Sequence, residues 1–396
     1  MERTELLQVL SPEALKMLDE LPPYGGLDIL RTEERLRAAG HDAAQVAAVL
    51  TQARLRAKAE AKLGAFARRM LFTEAGLQQA TRLRVAALHA GRFHAAGLRR
   101  VADLGCGIGA DALALAGLGL QVAAIEADEA TAALAAYNLA PFPNARVVHD
   151  RAEDADLSDR EGVWLDPARR TTGRHPRRLR DPAAFSPPLD FALGLAARLP
   201  AGVKLGPGVE RGVIPDDVEA QWVSVAGEVV EMTLWSRQLA RQGVRRAALV
   251  LHDNGADELT AEGDAPDVAS AALGDYLYEP DGAVIRARQI GPLADRLGAR
   301  MLAPHIAYLT SDRAVSTPFA NCFRVAETLP FSVRQLTKAL RARGIGSLEI
   351  KKRGVDLDPA ALRRALRLHG PNEATLILTR DRDGDHLAVL AHRMRA

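Results

Sequence analysis

Cysteine is nearly absent: Cys106 and Cys322 are the only two in 396 residues. That excludes a disulfide framework and a cysteine metal cage, and it suits a reducing cytoplasm. No apolar run approaches the roughly 20 residues that span a bilayer. The opening Met1-Glu-Arg-Thr lacks the basic-then-apolar start of a secretory signal. Lysine is scarce as well, seven of 52 basic residues, in a chain rich in alanine. This composition reads as GC-rich codon usage and discounts the arginine excess as a signal for polyanions. No His/Cys dyad for nucleophilic catalysis stands out.

What is present is a soluble globular composition, 48% hydrophobic and 26% charged, long enough for two to four domains. A net charge of +2 conceals segregation. Residues 51–100 carry eleven Arg/Lys against two acids, and residues 101–166 carry three against twelve. Basic segments flanking an acidic one suit a polyanionic substrate.

The stretch Val101-Ala-Asp-Leu-Gly-Cys-Gly-Ile-Gly-Ala-Asp111 reads as a strand, a tight glycine turn and a helix start. Glycine serves there because the turn needs positive φ and a ligand must approach the backbone closely. A second apolar run ends in Glu126, placed to accept ribose hydroxyls. G-x-G-x-x-G would suit a dinucleotide, with Ala110 in the third position. Asp103, two residues ahead of the first glycine, instead favours S-adenosylmethionine (SAM), whose sulfonium and amino group are cationic, over a diphosphate it would repel. The expected cofactor residues are Asp103, Gly105, Cys106, Gly107, Gly109, Glu126 and, facing adenine after the third strand, Asp150, with Asp154 as the alternative.

Val163-Trp-Leu-Asp-Pro-Ala-Arg-Arg170 delivers Asp166 and Pro167 to the carboxyl edge of the sheet, where open α/β sheets bind ligands. Enzymes that methylate exocyclic amines of bases carry Asp/Asn-Pro-Pro-aromatic here, the acid and proline carbonyl aligning the amine and the ring stacking on the base. This chain has Ala168 and Arg169 instead, so Arg169 would pair with phosphate or stack its guanidinium plane. The uridine-C5 pattern is disfavoured because no cysteine follows in the same domain. Six arginines fall between 169 and 180. Arg170, Arg174, Arg177 and Arg178, with Lys351, Lys352 and Arg353 near the end, are the candidate substrate contacts, against the alternative of solvated basic loops.

Residues 1–95 read as helices, with Ser11 capping one that opens on Pro12. In Phe72–Thr81, Thr73, Gln79 and Thr81 are read either as a cap and core contact or as a polar lid at the cofactor mouth. Strands at 229–234 and 247–251 are expected to pair antiparallel and close the sheet, and residues 255–275 to form a linker or long loop. From Val333 the order is helix, strand (346–350), helix, then two strands joined by a hairpin at Asp383-Gly384.

Taken together, Phe72-Thr with Gln78-Gln-Ala-Thr81, Asp103-Leu-Gly-Cys-Gly-Ile-Gly-Ala-Asp111, Asp166-Pro-Ala-Arg-Arg170, Tyr278-Glu-Pro280 and Ile350-Lys-Lys-Arg-Gly-Val355 resemble a bacterial family of class I SAM-dependent methyltransferases with a C-terminal THUMP-like domain. The resemblance implies an α/β fold: a Rossmann-like class I methyltransferase sheet with an N-terminal helical region and small α+β C-terminal domains. It implies a helical region over 1–95, a methyltransferase domain over 96–255, a ferredoxin-like domain over 276–322 and a THUMP-like domain over 323–396. THUMP domains bind RNA, so the expected partner is structured RNA, with no membrane, no metal and oligomeric state open. The expected activity is SAM-dependent base methylation. The alternatives are methylation of a small molecule or protein, or SAM binding without turnover.

Overall fold

The computed structural model describes residues 8–167 and 185–394. Its contacts divide into two units, Met1–Leu205 with Leu234–Ala240, and Gly206–Thr233 with Arg241–Ala396.

The first unit opens with helices α1 (Pro12–Glu20), α2 (Ile29–Ala38), α3 (Ala43–Leu63), α4 (Glu74–Gln79) and α5 (Leu83–Ala95). Their ends follow capping chemistry. Ser11 accepts from the Ala14 amide, Asp42 from the amides of Ala44 and Gln45, and α3 stops at Gly64 with φ of 56°. Strands β1 (Arg100–Leu104), β2 (Gln121–Glu126), β3 (Ala145–His149), β4 (Gly162–Leu165) and β5 (Ala201–Leu205) then alternate with α6 (Ala110–Gly117), α7 (Glu129–Leu139) and α8 (Leu189–Ala196). The strands lie in the order β3-β2-β1-β4-β5, each neighbouring pair parallel. Chain order reverses between β1 and β4, the switch point outside which such sheets bind ligands. Both strands are buried almost throughout, as expected of a sheet covered on both faces. Beneath the switch point Trp164 packs against Trp235 with ring centroids 5.8 Å apart, and Phe93 meets both edge-on. A Cβ on Gly202 would sit 2.6 Å from the Trp164 ring, so the two indoles fit only because that strand position is glycine.

In the second unit β6 (Glu219–Val225) and the part of β7 (Glu228–Trp235) up to Thr233 are joined by Ala226-Gly227, with φ of 50° and 83°, a two-residue hairpin turn. Two expectations fail here. Strand β8 (Arg246–His252) does not pair with β7 but lies parallel to β6, and its other neighbour is β9 (Gly255–Ala261), antiparallel. The stretch read as a linker or long loop therefore begins with a strand. Its acids hid it: Glu258 is consumed by Gln221 and Arg241, while Leu259 alone is fully buried.

The remainder builds a seven-stranded sheet. Strands β10 (Tyr276–Pro280), β11 (Arg300–Ala303), β12 (Ile306–Ser311), β13 (Ala320–Leu329), β14 (Ile345–Lys352), β15 (Asn372–Arg380) and β16 (His386–Arg393) take the order β11-β12-β10-β13-β16-β15-β14. Helices α9 (Gly282–Arg286) and α10 (Ile290–Leu297) follow β10, and α11 (Val333–Ala342) and α12 (Pro359–Leu366) flank β14. The leucines of α11 and α12 form a core with Leu376, Leu378 and Leu390, and a second core holds Leu277, Tyr308, Phe323 and Val389. The final hairpin turns at Asp381–Asp385, where Gly384 has φ of 89°.

Candidate cofactor and acceptor site

Asp103 ends the apolar part of β1 with only 1% of its surface exposed, and neither carboxylate oxygen has a hydrogen-bond partner. Burial, reinforced by the nearby charges of Asp111 and Asp166, pushes its carboxyl well above the usual range. A buried acid without a donor is costly unless a cation completes it. After it the chain turns on Gly105, Gly107 and Gly109, with φ of 84°, 56° and 86°, a region side chains with a Cβ avoid. The amides of Gly105 and Cys106 both donate to the Ile125 carbonyl at 2.9 Å, tying the turn to the end of β2. Beside Gly107 there is open space where a Cβ would point.

Glu126 closes this edge. One oxygen accepts from the Gly107 amide and the other from the Asp128 amide, both at 2.9 Å. Each carboxylate oxygen retains capacity for a further donor. Burial raises its pKa even so. Asp150 follows β3, its amide bound to the Glu126 carbonyl at 3.1 Å and its carboxylate accepting from the Arg151 amide. Asp154 is exposed, 3.8 Å from the Arg151 guanidinium. Cys106 is buried, and burial with the charges of Asp103 and Glu126 pushes its thiol well up, the opposite of a nucleophile.

Across the switch point Asp166 follows β4, with Pro167 buried behind it. A chain of contacts that the sequence did not suggest runs inward from there. Lys204 of β5 lies 2.5 Å from Asp166 Oδ2 and donates to Thr81 Oγ1 at 2.9 Å. The Thr81 hydroxyl donates to Asp111 Oδ2 at 2.6 Å, and Asp111 Oδ1 meets His89 Nδ1 at 2.9 Å. The His89 ring stacks on Trp164 with centroids 4.2 Å apart. Burial raises the Asp111 carboxyl, but His89, Lys204 and Thr81 outweigh it and hold it below its ordinary value.

The segment carrying Thr81 is anchored by side chains. Asn138 bonds both the amide and the carbonyl of Leu71 as well as the Ile108 carbonyl, and Gln52 does the same for Phe72. Lys62 takes the carbonyls of Leu77, Gln78 and Ala80 at the end of α4. Thr73 caps α4 by accepting from the Gly76 amide. In this stretch Thr73 acts as the helix cap, Thr81 is buried against Asp111 and Lys204, and Gln79 is exposed.

The first unit thus brings Asp103, the glycine turn, Glu126 and Asp166 to one sheet edge, with Asp150 at the end of the neighbouring strand. Arg169, Arg170, Arg174, Arg177 and Arg178 lie outside the described residues. In the second unit Lys351 pairs with Glu279 at 2.6 Å, and Arg353 bonds the Ala307 carbonyl and covers the Tyr308 ring, leaving Lys352 as the exposed member of that run. Lys204, Asp111 and His89 escaped sequence reasoning. Lys204 did leave a trace: it is one of seven lysines, set inside the apolar strand Val203-Lys-Leu205. His89 left none.

The glycine turn, the orphaned Asp103 and Glu126 on the next strand thus meet at the switch-point edge of a parallel sheet. Two relatives, uncharacterized S-adenosylmethionine-dependent methyltransferases of Mycobacterium tuberculosis strains CDC 1551 and H37Rv, are each 36% identical over 355 residues, covering 86% of this chain and 94% of the relative. Residues 320–393 match the THUMP domain-like family, and residues 2–59 match a domain of unknown function. A crystal structure from Porphyromonas gingivalis W83, described there as that of a methyltransferase, superposes with a TM-score of 0.71 at 22% identity, covering 100% of both chains. It shares the fold. The chain belongs to the family of S-adenosylmethionine-dependent methyltransferases.

Proposed function

We propose that this methyltransferase acts on a base of structured RNA. The observation that carries the reading is the THUMP domain-like match over 320–393 in a chain whose acceptor edge presents Asp166-Pro167. Asp103, Gly105, Cys106, Gly107, Gly109 and Glu126 would hold SAM. The orphaned carboxylate of Asp103 suits its cationic groups, the open face of Gly107 admits it, and Glu126 takes ribose hydroxyls. Asp150 would face adenine. SAM supplies an electrophilic methyl group. What this chain adds is alignment and exclusion of water rather than an acid–base dyad. Asp166 accepts from the acceptor amine, and Lys204 fixes that carboxylate, itself held by Thr81. Arg169 and the arginines after it would meet the substrate backbone. Residues 276–322 and 323–396 would act together in recognition, in a cytoplasmic enzyme.

A second reading, a small-molecule or protein acceptor, draws support from Lys351 and Arg353 being engaged within the unit. Methyl-³H transfer from SAM into total RNA and total protein of a strain lacking the enzyme separates the two. Label in RNA is the expected result, and label in protein or metabolites alone would overturn the RNA assignment.

A further inference from the structure

A groove of about 540 Å³ opens on the second unit. Its floor is apolar: Trp222 of β6, Ile290 of α10 and Met301 of β11 line it and are buried. Its rim carries the exposed arginines Arg286 and Arg288, beside an exposed His305. Among the described residues lining it, Asp267 is the single acid, 3.8 Å from His305. Arg211 bridges floor and rim. Its guanidinium bonds Asp264 and the Arg286 carbonyl, and its carbon sits 5.3 Å from the centre of the Trp222 ring. The group is thereby fixed in place while still about one-third exposed.

Two further features distinguish the rim. Arg286 and Arg288 form no ion pair among the described residues, unlike Lys351 and Arg353 of the same unit, which are engaged internally. Arg288 and His305 also hold left-handed backbone, φ of 57° and 60°, which residues with a Cβ adopt rarely. Such conformations cluster at ligand clamps. Burial and the neighbouring Arg246 and Arg288 depress the Arg211 pKa despite its bond to Asp264. Arg211 is paired with Asp264, so the charge the groove offers a ligand is that of Arg286 and Arg288, exposed and without an ion pair among the described residues.

We propose that this groove takes one nucleotide unit of single-stranded RNA. The base lies against the Arg211 guanidinium and the apolar floor, and the flanking phosphates lie on Arg286 and Arg288. A planar guanidinium stacks on bases, and unstacked bases are what single strands offer. The proposal rests on the RNA reading above and adds a binding site remote in sequence from the Arg169–Arg180 run.

The test is fluorescence anisotropy of the full chain with a fluorescein-labelled ten-nucleotide single-stranded RNA, titrated between 50 and 200 mM salt. Arg286→Gln/Arg288→Gln should weaken binding at least tenfold at the lowest salt. It should also flatten the slope of log K against log salt by about 1.4, two phosphates at about 0.7 each. Arg286→Lys/Arg288→Lys, which keeps the charges, should restore the slope. A ten-base-pair RNA duplex should bind at least tenfold more weakly than the single strand. A double glutamine variant with wild-type affinity and slope overturns the groove while leaving the RNA reading standing. Equal binding of duplex and single strand overturns the base contact. A wild-type chain that binds neither probe overturns the groove, and the methyl-³H transfer experiment decides the RNA reading separately.

Discussion

Two buried acids, one in each unit, mark the difference between a strut and a site. Glu219, at the start of β6, is fully buried, and its oxygens are taken by the backbone amide, Nε and Nη2 of Arg241. Arg241 also reaches Glu258, and the two acids together raise its pKa despite the burial that opposes it. Asp103, near the end of β1, is as deeply buried, yet neither carboxylate oxygen has a hydrogen-bond partner, and the nearby Lys204 charge and Ala112 amide only partly offset its burial. Sequence position does not distinguish them, since both are acids in apolar strands. Satisfaction does: a buried acid that the fold completes holds the fold, and one left incomplete awaits a ligand.

The largest effect should come from breaking the completed pair. Arg241→Met would leave Glu219 buried inside the sheet without the guanidinium that neutralises it, keeping only the residue 241 amide of the bonds Arg241 supplied. Breaking a buried pair from one side costs roughly 3–5 kcal/mol, so chemical denaturation should show a loss of that order. SAM affinity by calorimetry should stay within twofold of wild type wherever the variant is folded. A comparable loss of SAM affinity in the folded variant would erase the contrast between strut and site.

Asp103→Asn should do the reverse. Removing a charge that hydrogen-bonds a cationic ligand costs about 1.5–3 kcal/mol, or tenfold and more in SAM affinity. The cofactor-free protein should nevertheless gain stability at neutral pH. The folded-state pKa of Asp103 is raised, so the native chain keeps a proton that the unfolded chain has released. Its stability contribution is fullest below the unfolded carboxylate value and is lost as pH rises through the folded one. A cationic ligand favours the ionised carboxylate, so wild-type SAM affinity should climb with pH across the same window, and the Asn variant should lose that slope. A pH-independent wild-type affinity would remove Asp103 from the cofactor site.

How much of this was legible in the sequence depends on the scale at which each signal is written. The glycine turn, Asp103, Glu126 and Asp166-Pro167 declare themselves because their chemistry is local: a turn that needs positive φ and acids at strand ends. The helices and hairpin after Val333 were readable for the same reason. Pairing between β6 and β8 was not, because a parallel partner is chosen by sheet topology rather than by adjacency. Strand β9 was masked by acids whose partners, Arg241 and Gln221, lie 17 and 37 residues away. The Lys204–Thr81–Asp111–His89 chain joins residues up to 123 apart in sequence. No window along the chain contains it.

That chain yields a smaller, more selective effect. Lys204→Met should reduce methyl transfer to undermethylated RNA about tenfold, the lower end of the range for a hydrogen bond to a charged group, because Asp166 loses the ammonium that fixes it. SAM affinity should change by less than the rate does, since Lys204 bonds Asp166 and Thr81 and acts on Asp103 through its charge. Lys204→Arg should restore part of the rate, the charge being kept but the compact ammonium lost. Equal losses in rate and SAM affinity would place Lys204 in the cofactor site instead.

The smallest effect should come from Cys322→Ala. Cys322 lies on β13, half-buried, and burial raises its thiol pKa, so at neutral pH little thiolate forms to attack a pyrimidine ring. The variant should transfer methyl groups to RNA at the wild-type rate, measured under the same conditions as Lys204→Met. Cys106 cannot substitute for it, because its thiol is buried in the glycine turn and donates to the Gly107 carbonyl at 3.6 Å. Loss of turnover in Cys322→Ala with SAM affinity intact would restore the C5 mechanism. It would also shift attention from the acid at the acceptor edge to a thiol on the second unit.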